Sequence, residues 1–165
     1  MSDYLLHELA GLGDWKQIEV LFRINAVKDV NLQDDEFEGQ TPLHWAVRKG
    51  KLKCCKLLLE HHADVSIKMH QGWTVTHCAA ENGHLEILRL LYDHFAPMFD
   101  RDDFNATPKD IARVYGHKDC YQFLDDVENG RTKRRSIEEK IEEKSLPLII
   151  SNEITNERPK TANPP

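Results

Sequence analysis

The stretch THCAAENGH, Thr76–His84, gathers four side chains that could do chemistry: His77, Cys78, Glu81 and His84. A thiol beside an imidazole could form a nucleophilic pair, and imidazole, thiolate and carboxylate are all zinc ligands. Which chemistry is open depends on the element that carries them. On one unbroken helix His77 and Glu81 would share a face at four-residue spacing. Gly83 interrupts that helix, because a glycine placed after a helical segment favours the left-handed conformation that ends it. Beyond such a reversal His84 leaves the face of His77, and two ligands remain where zinc needs three or four. A Cys/His pair would need an orienting third group and an oxyanion site as well, and the sequence indicates neither. We therefore expect no catalytic residues, no metal and no cofactor.

The elements that carry these residues recur. TPLHWAVRKGKLKCCKLLL from Thr41, TVTHCAAENGHLEILRLLY from Thr74 and TPKDIARVYGHKDCYQFLD from Thr107 align at a constant period of 33 residues. Thr41, Thr74 and Thr107 match, as do Ala46, Ala79 and Ala112, and Gly50, Gly83 and Gly116. An earlier, degenerate copy, LHELAGLGDWKQIEVLF, matches His7 to His44 and Gly13 to Gly50 at an offset of 37, so four extra residues separate it from the next. Each copy reads as two short helices. Thr41 and Thr107 are N-caps before Pro42 and Pro108, where a helix lacks N–H partners in any case. Gly13, Gly50, Gly83 and Gly116 end the first helix, and an apolar stripe marks the second. A single helix pair cannot bury its apolar face alone, which is why at least three stacked copies are required.

GQTPLHWAVRKGKLKCCKLLLEHHADV resembles the ankyrin repeat, with its G-x-T-P-L-H-x-A motif, helix-ending glycine and leucine-rich second helix. The resemblance covers about residues 4–126. It implies an all-α solenoid of about four helix-turn-helix repeats with β-hairpin-like fingers, over roughly 4–37, 38–70, 71–103 and 104–126. A C-terminal tail, 127–165, follows. The overall plan is similar to that of small four-repeat members of the family, kinase inhibitors among them. The family implies that His44 and His77 hydrogen-bond the motif threonine and tie successive repeats together. It places His84 at the loop surface, and it points Cys78 into the groove as the most accessible thiol. Cys54, Cys55 and Cys120 fall on the packed stripe of the second helices, where a free cysteine behaves as a small hydrophobe.

Family members bind partners with the finger tips and the exposed end of the first helix. By register these are Phe37, Glu38, Gln40, Arg48 and Lys49 in the second repeat, with Trp45 facing the groove. The third contributes His70, Gln71, Trp73, Cys78, Glu81 and Asn82, and the fourth Asp103, Phe104, Val114 and Tyr115. Aromatic residues with an occasional arginine are what interface hot spots are made of, though Trp45 and Trp73 would equally suit covering a repeat junction. The first finger, LQDDEFEGQ, is about two residues longer than the pattern, and acidic. His62 and Phe95 occupy positions where the pattern has glycine, so local strain is expected there.

Composition bounds the partner. The chain carries a net charge of −6; residues 1–128 hold 14 Lys/Arg against 22 Asp/Glu, and residues 129–165 hold 8 against 6. An acidic body repels phosphate backbones, which disfavours nucleic acid. No apolar run reaches the roughly 18 residues of a membrane span, the start does not read as a secretory signal, and four cysteines without a C-x-x-C pair suit a reducing compartment. We expect a soluble, cytoplasmic monomer that binds another protein as a scaffold or adaptor; the alternative is an inhibitor subunit occluding an enzyme such as a kinase. In the tail, Lys133–Arg135 is a short candidate nuclear localisation signal, residues 136–144 predict a marginal helix, SLPLII is an apolar island, and the end reads as disordered.

Overall fold

In the computed structural model, residues 4–36 and 38–134 are described. Phe37, Arg135, the expected helix over 136–144 and SLPLII lie outside them. The described residues form helices and turns with no strand: α1 (Leu5–Leu12), α2 (Trp15–Arg23), α3 (Pro42–Arg48), α4 (Leu52–Glu60), α5 (Val75–Glu81), α6 (Leu85–Asp93), α7 (Pro108–Val114) and α8 (Lys118–Glu128). First helices pack on first helices, α1 on α3, α3 on α5 and α5 on α7, while the second helices form a parallel row from α2 to α8. Ala46, Ala79 and Ala112 are fully buried between neighbours, where a longer side chain would hold the helices apart. Leu58, Leu91 and Leu124, one in each of repeats two to four, form the matching buried line on the second helices.

The helix ends follow the expected chemistry. Thr41 and Thr107 cap α3 and α7, each hydroxyl accepting the backbone N–H three residues on. Gly13, Gly50, Gly83 and Gly116 all have positive φ, between 67° and 87°. Three of them are also pressed by the following repeat: a Cβ on Gly13 would lie 2.9 Å from the Lys51 side chain, one on Gly50 2.8 Å from His84, and one on Gly83 2.6 Å from His117. After the second helices Asn25, His62 and Phe95 are left-handed, at φ 55°, 65° and 61°. The expected strain at His62 and Phe95 is thus present in the backbone, where a non-glycine residue costs roughly 1–2 kcal/mol.

Each finger is closed by one backbone hydrogen bond at its base, Asp34 N–H to Gln40 O, Met69 N–H to Trp73 O and Asp102 N–H to Ala106 O. The first spans two residues more than the others, as the sequence suggested. Successive fingers are also joined, His70 N–H donating to Glu38 O and Asp103 N–H to Gln71 O. The carbonyl in each joint belongs to a left-handed residue, Glu38 at φ 66° and Gln71 at φ 63°.

Candidate functional site

His77 is fully buried and holds two structures at once. Its Nδ1 accepts the Thr74 backbone N–H at 3.2 Å and lies 2.9 Å from the Thr74 hydroxyl, while Nε2 is 3.2 Å from Ala106 O in the next finger. His7 repeats the forward reach, with Nε2 3.2 Å from Gln40 O. His44 makes the same local contact with Thr41, while its Nε2 has no hydrogen-bond partner among the described residues. A ring accepting at Nδ1 carries its proton on Nε2, the tautomer that can donate forward. Burial is the main reason all three titrate below the usual histidine range, His44 down to about 4. They are neutral structural groups at neutral pH.

A second histidine row runs the other way, and here the sequence expectation needs correction. His84 is half-buried rather than a surface loop residue; its Nε2 lies 3.4 Å from Arg48 O of the preceding repeat. His117 does the same to Glu81 O at 2.8 Å. His77 and His84 therefore serve opposite junctions of one repeat. Among the described residues no group of three or more His, Cys, Asp or Glu is placed to hold a metal ion.

Cys78 is also corrected. It is fully buried, with Sγ 3.8 Å from Met69 Sδ, and burial pushes its thiol up to about 12. Register points this position at the groove, and its counterpart Trp45 is long enough to emerge there; a cysteine is not. Gln40 is buried too, its backbone carbonyl taken by Asp34 and His7 at the base of the first finger. Cys54, Cys55 and Cys120 lie in the core as expected, and burial raises all three thiols.

Trp45 and Trp73 each brace a finger. Trp45 Nε1–H donates to Asp34 at 2.8 Å, and its ring presses on Gly11, where a Cβ would meet it at 2.9 Å. Trp73 Nε1–H donates to Asp102 at 3.0 Å and its ring stacks on His77, 5.8 Å between centroids. Asp34 is consequently buried, and the acidic character of the first finger's tip rests on Asp35, Glu36 and Glu38.

Most of the expected partner-binding residues converge on two neighbouring hollows. One, about 260 Å³, is lined by Glu38, Arg48, Met69, His70, Gln71, Trp73, Glu81 and Tyr115. The other, about 310 Å³, is lined by Gln40, Trp45, Arg48, Lys49 and Asn82. Arg48 belongs to both; it faces Glu38 across a long 3.7 Å ion pair, weak at this exposure. Tyr115 OH donates to Glu81 at 3.4 Å across the junction of repeats three and four. Phe104 and Val114 lie outside both hollows, yet they are 74% and 77% exposed and with Tyr115 give the C-terminal end an apolar surface. Asp103 is exposed beside Phe104.

Two features have no counterpart in the sequence reading. A hollow of about 550 Å³ opens at the N-terminal repeat between Tyr4, Leu6, Leu21, Val27 and Leu32. The other two extra residues of the first copy, which the register places near residues 25–28, lie beside it, with Ala26, Val27 and Lys28 in its lining, and that insertion was its only sequence signal. At the far end, Arg134 stacks over the rings of Tyr92 and Phe95, at 4.3 and 4.7 Å, and donates to Tyr92 O at 2.9 Å. One cation of the basic cluster is thereby held against the second-helix side.

Known proteins carry the same pattern. A family model for ankyrin repeats, in three copies, matches residues 6–102 and 62–133. The chain is 39% identical over 70 residues to ankyrin repeat domain-containing protein 13C of Danio rerio, covering 42% of this chain and 13% of that protein. It is 38% identical over 72 residues to the Homo sapiens protein of that name, 44% of this chain and 12% of that one. Against the espin-like protein of Homo sapiens it is 33% identical over 89 residues, 54% of this chain and 6% of that protein. The chain thus spans about an eighth or less of these relatives' length. With the matched family model covering most of the chain, and the staples, left-handed glycines and joined fingers all in place, the chain belongs to the ankyrin repeat family.

Proposed function

We propose that this chain is a non-enzymatic protein-interaction module, a scaffold or adaptor that binds a partner protein through its groove and finger tips. Ankyrin repeats in general bind other proteins, and the observation that supports this site is the convergence on Arg48. Two hollows meet there, lined by side chains from both helix ends and fingers, with Tyr115, Phe104 and Val114 exposed alongside. Exposed aromatic and apolar residues beside an arginine are the composition of a binding hot spot. Gln40 and Cys78 drop out of the contact set because they are buried. Of the side chains that could do chemistry, His77 and Cys78 are fully buried and His84 is half-buried against Arg48 O, and all three are already used by the fold. Four buried free thiols suit a reducing compartment such as the cytoplasm, and the module is a monomer whose partner is another protein.

The test is a quantitative pull-down comparing wild type with Phe104→Ala/Tyr115→Ala, two exposed changes that leave the Trp73 brace alone. We expect loss of the retained partners with helix content unchanged by circular dichroism. An identical set of partners on both proteins would overturn the assignment.

A further inference from the structure

The groove is not uniform in charge, and its order identifies the partner's chemistry. Among the described residues, the hollow of about 310 Å³ has two cations on its wall, Arg48 and Lys49, and no carboxylate; its other lining groups are the Trp45 ring and the carboxamide residues Gln40 and Asn82. This basic spot stands in a body whose residues 1–128 hold 14 Lys/Arg against 22 Asp/Glu. Two repeats further on, the same helix-end positions hold Val114 and Tyr115, with Phe104 on the adjacent finger, all more than half exposed. We propose, resting on the groove reading above, that the partner is a peptide segment which places an Asp or Glu carboxylate over Arg48 and Lys49 and an apolar side chain on Phe104, Val114 and Tyr115.

Charge and distance set both halves of that statement. Arg48 is held by Glu38 only through a 3.7 Å pair with both side chains exposed, so it can turn to a second carboxylate at little cost. A guanidinium beside an ammonium suits a singly charged carboxylate, whereas a phosphate dianion would feel Glu38 and Glu81 in the adjoining hollow as well as the acidic body. Helix rows 8–10 Å apart put two repeats roughly 20 Å from each other. An extended segment covers that in about six residues, so the acid and the apolar anchor belong to one short stretch of chain.

The experiment selects from a displayed library of random 16-residue peptides on the immobilised full chain. It is run in parallel on Arg48→Glu/Lys49→Glu and on Phe104→Ala/Tyr115→Ala, each checked for fold by circular dichroism. Wild type should enrich peptides with Asp or Glu some six positions from a Leu, Phe or Trp. The charge-reversed variant should enrich Lys or Arg at the acidic position. A selected peptide, synthesised, should lose about tenfold or more in affinity for the charge-reversed protein, and its binding should weaken several-fold from 50 to 300 mM salt. Failure to enrich any peptide, enrichment without acidic residues, or a Kd indifferent to the charge reversal would overturn the proposal. A phosphoserine peptide binding tenfold more tightly than its glutamate version would overturn the choice of a carboxylate. Peptides that ignore the charge reversal but are lost on Phe104→Ala/Tyr115→Ala would leave the groove reading standing; peptides indifferent to both would remove it too.

Discussion

Repeats two and three differ from repeat four at the residue that closes the local ring with the motif threonine. Thr41 and Thr74 are followed at the third position by His44 and His77, and Thr107 by Asp110. All three side chains close the same local ring with the threonine, Asp110 accepting the Thr107 backbone N–H at 3.1 Å and its hydroxyl at 2.7 Å. Only the histidines have a second polar end, and it faces the next finger. The described part of repeat four has no such finger beyond it, and an acceptor-only group completes the cap. Capping a helix and joining two repeats are therefore separate tasks that an imidazole happens to combine.

Exchanging the residues separates those tasks. His77→Asp keeps the cap but sets a carboxylate in a fully buried site facing the Ala106 carbonyl, acceptor against acceptor. We expect a loss of about 3 kcal/mol or more, read as a lower urea midpoint. Asp110→His retains the cap at a half-buried site and sacrifices only the exposed 3.0 Å pair with Arg113, so its cost should stay below about 1 kcal/mol. Equal losses in the two variants would show that the forward reach of His77 contributes nothing.

The same contrast has a pH signature. His44 titrates near 4 in the folded chain against a usual 6.5, and His7 and His77 are lowered too, each mainly by burial. Below pH 6.5 the unfolded chain binds more protons than the folded one, so stability present above that value is lost as pH falls. His44 alone contributes a slope approaching about 1.4 kcal/mol per pH unit between those limits. Urea midpoints at pH 7, 6 and 5 should fall progressively, and His44→Gln should flatten the decline. A pH-independent midpoint would mean that these rings are not buried neutral.

Much of this scaffold was legible because the rules behind it are local. A threonine before proline, a glycine at a helix end and an alanine between helices act over a few residues, and a period of 33 repeats each of them. The staple role of His77 followed instead from the family resemblance, and its Nε2 lies 3.2 Å from Ala106 O. The burial of Cys78 was not legible: register gives the direction of a side chain, whereas exposure depends on how far it reaches past neighbours such as Met69. Trp45 and Cys78 share a position and differ in length. The backward histidines and the Arg134 stack were hidden for another reason, since their partners lie 36 to 42 residues away and follow no short-range pattern.

Glycines extend the internal-against-terminal comparison at smaller magnitude. Gly83 and Gly116 are equivalent and left-handed, φ 70° and 77°, but a Cβ on Gly83 would lie 2.6 Å from His117 whereas one on Gly116 meets nothing within 4 Å among the described residues. Gly116→Ala should cost only the conformational part, about 1 kcal/mol. Gly83→Ala must in addition displace the His117 ring from its 2.8 Å contact with Glu81 O, and we expect about 2 kcal/mol in total. Thermal unfolding of both variants measures the difference, and coincident melting curves would remove His117 from the list of joints.

The smallest effect lies at the first helical position of repeat three, which lacks the proline of repeats two and four. Val75 stands at the first turn of α5 where α3 and α7 have Pro42 and Pro108, and all three are buried. Its N–H is among those a helix cannot use, so proline removes no intrahelical bond. Thr74 already has the extended conformation that a residue before proline requires, φ −101° and ψ 169°. Restricting the unfolded chain then outweighs the small loss of side-chain volume, and Val75→Pro should raise stability by about 0.5 kcal/mol. The gain exists only if Thr74 keeps its hold on His77 once the ring is in place. A destabilised variant would therefore show that repeat three depends on Val75 for packing that Pro42 and Pro108 do not supply in theirs.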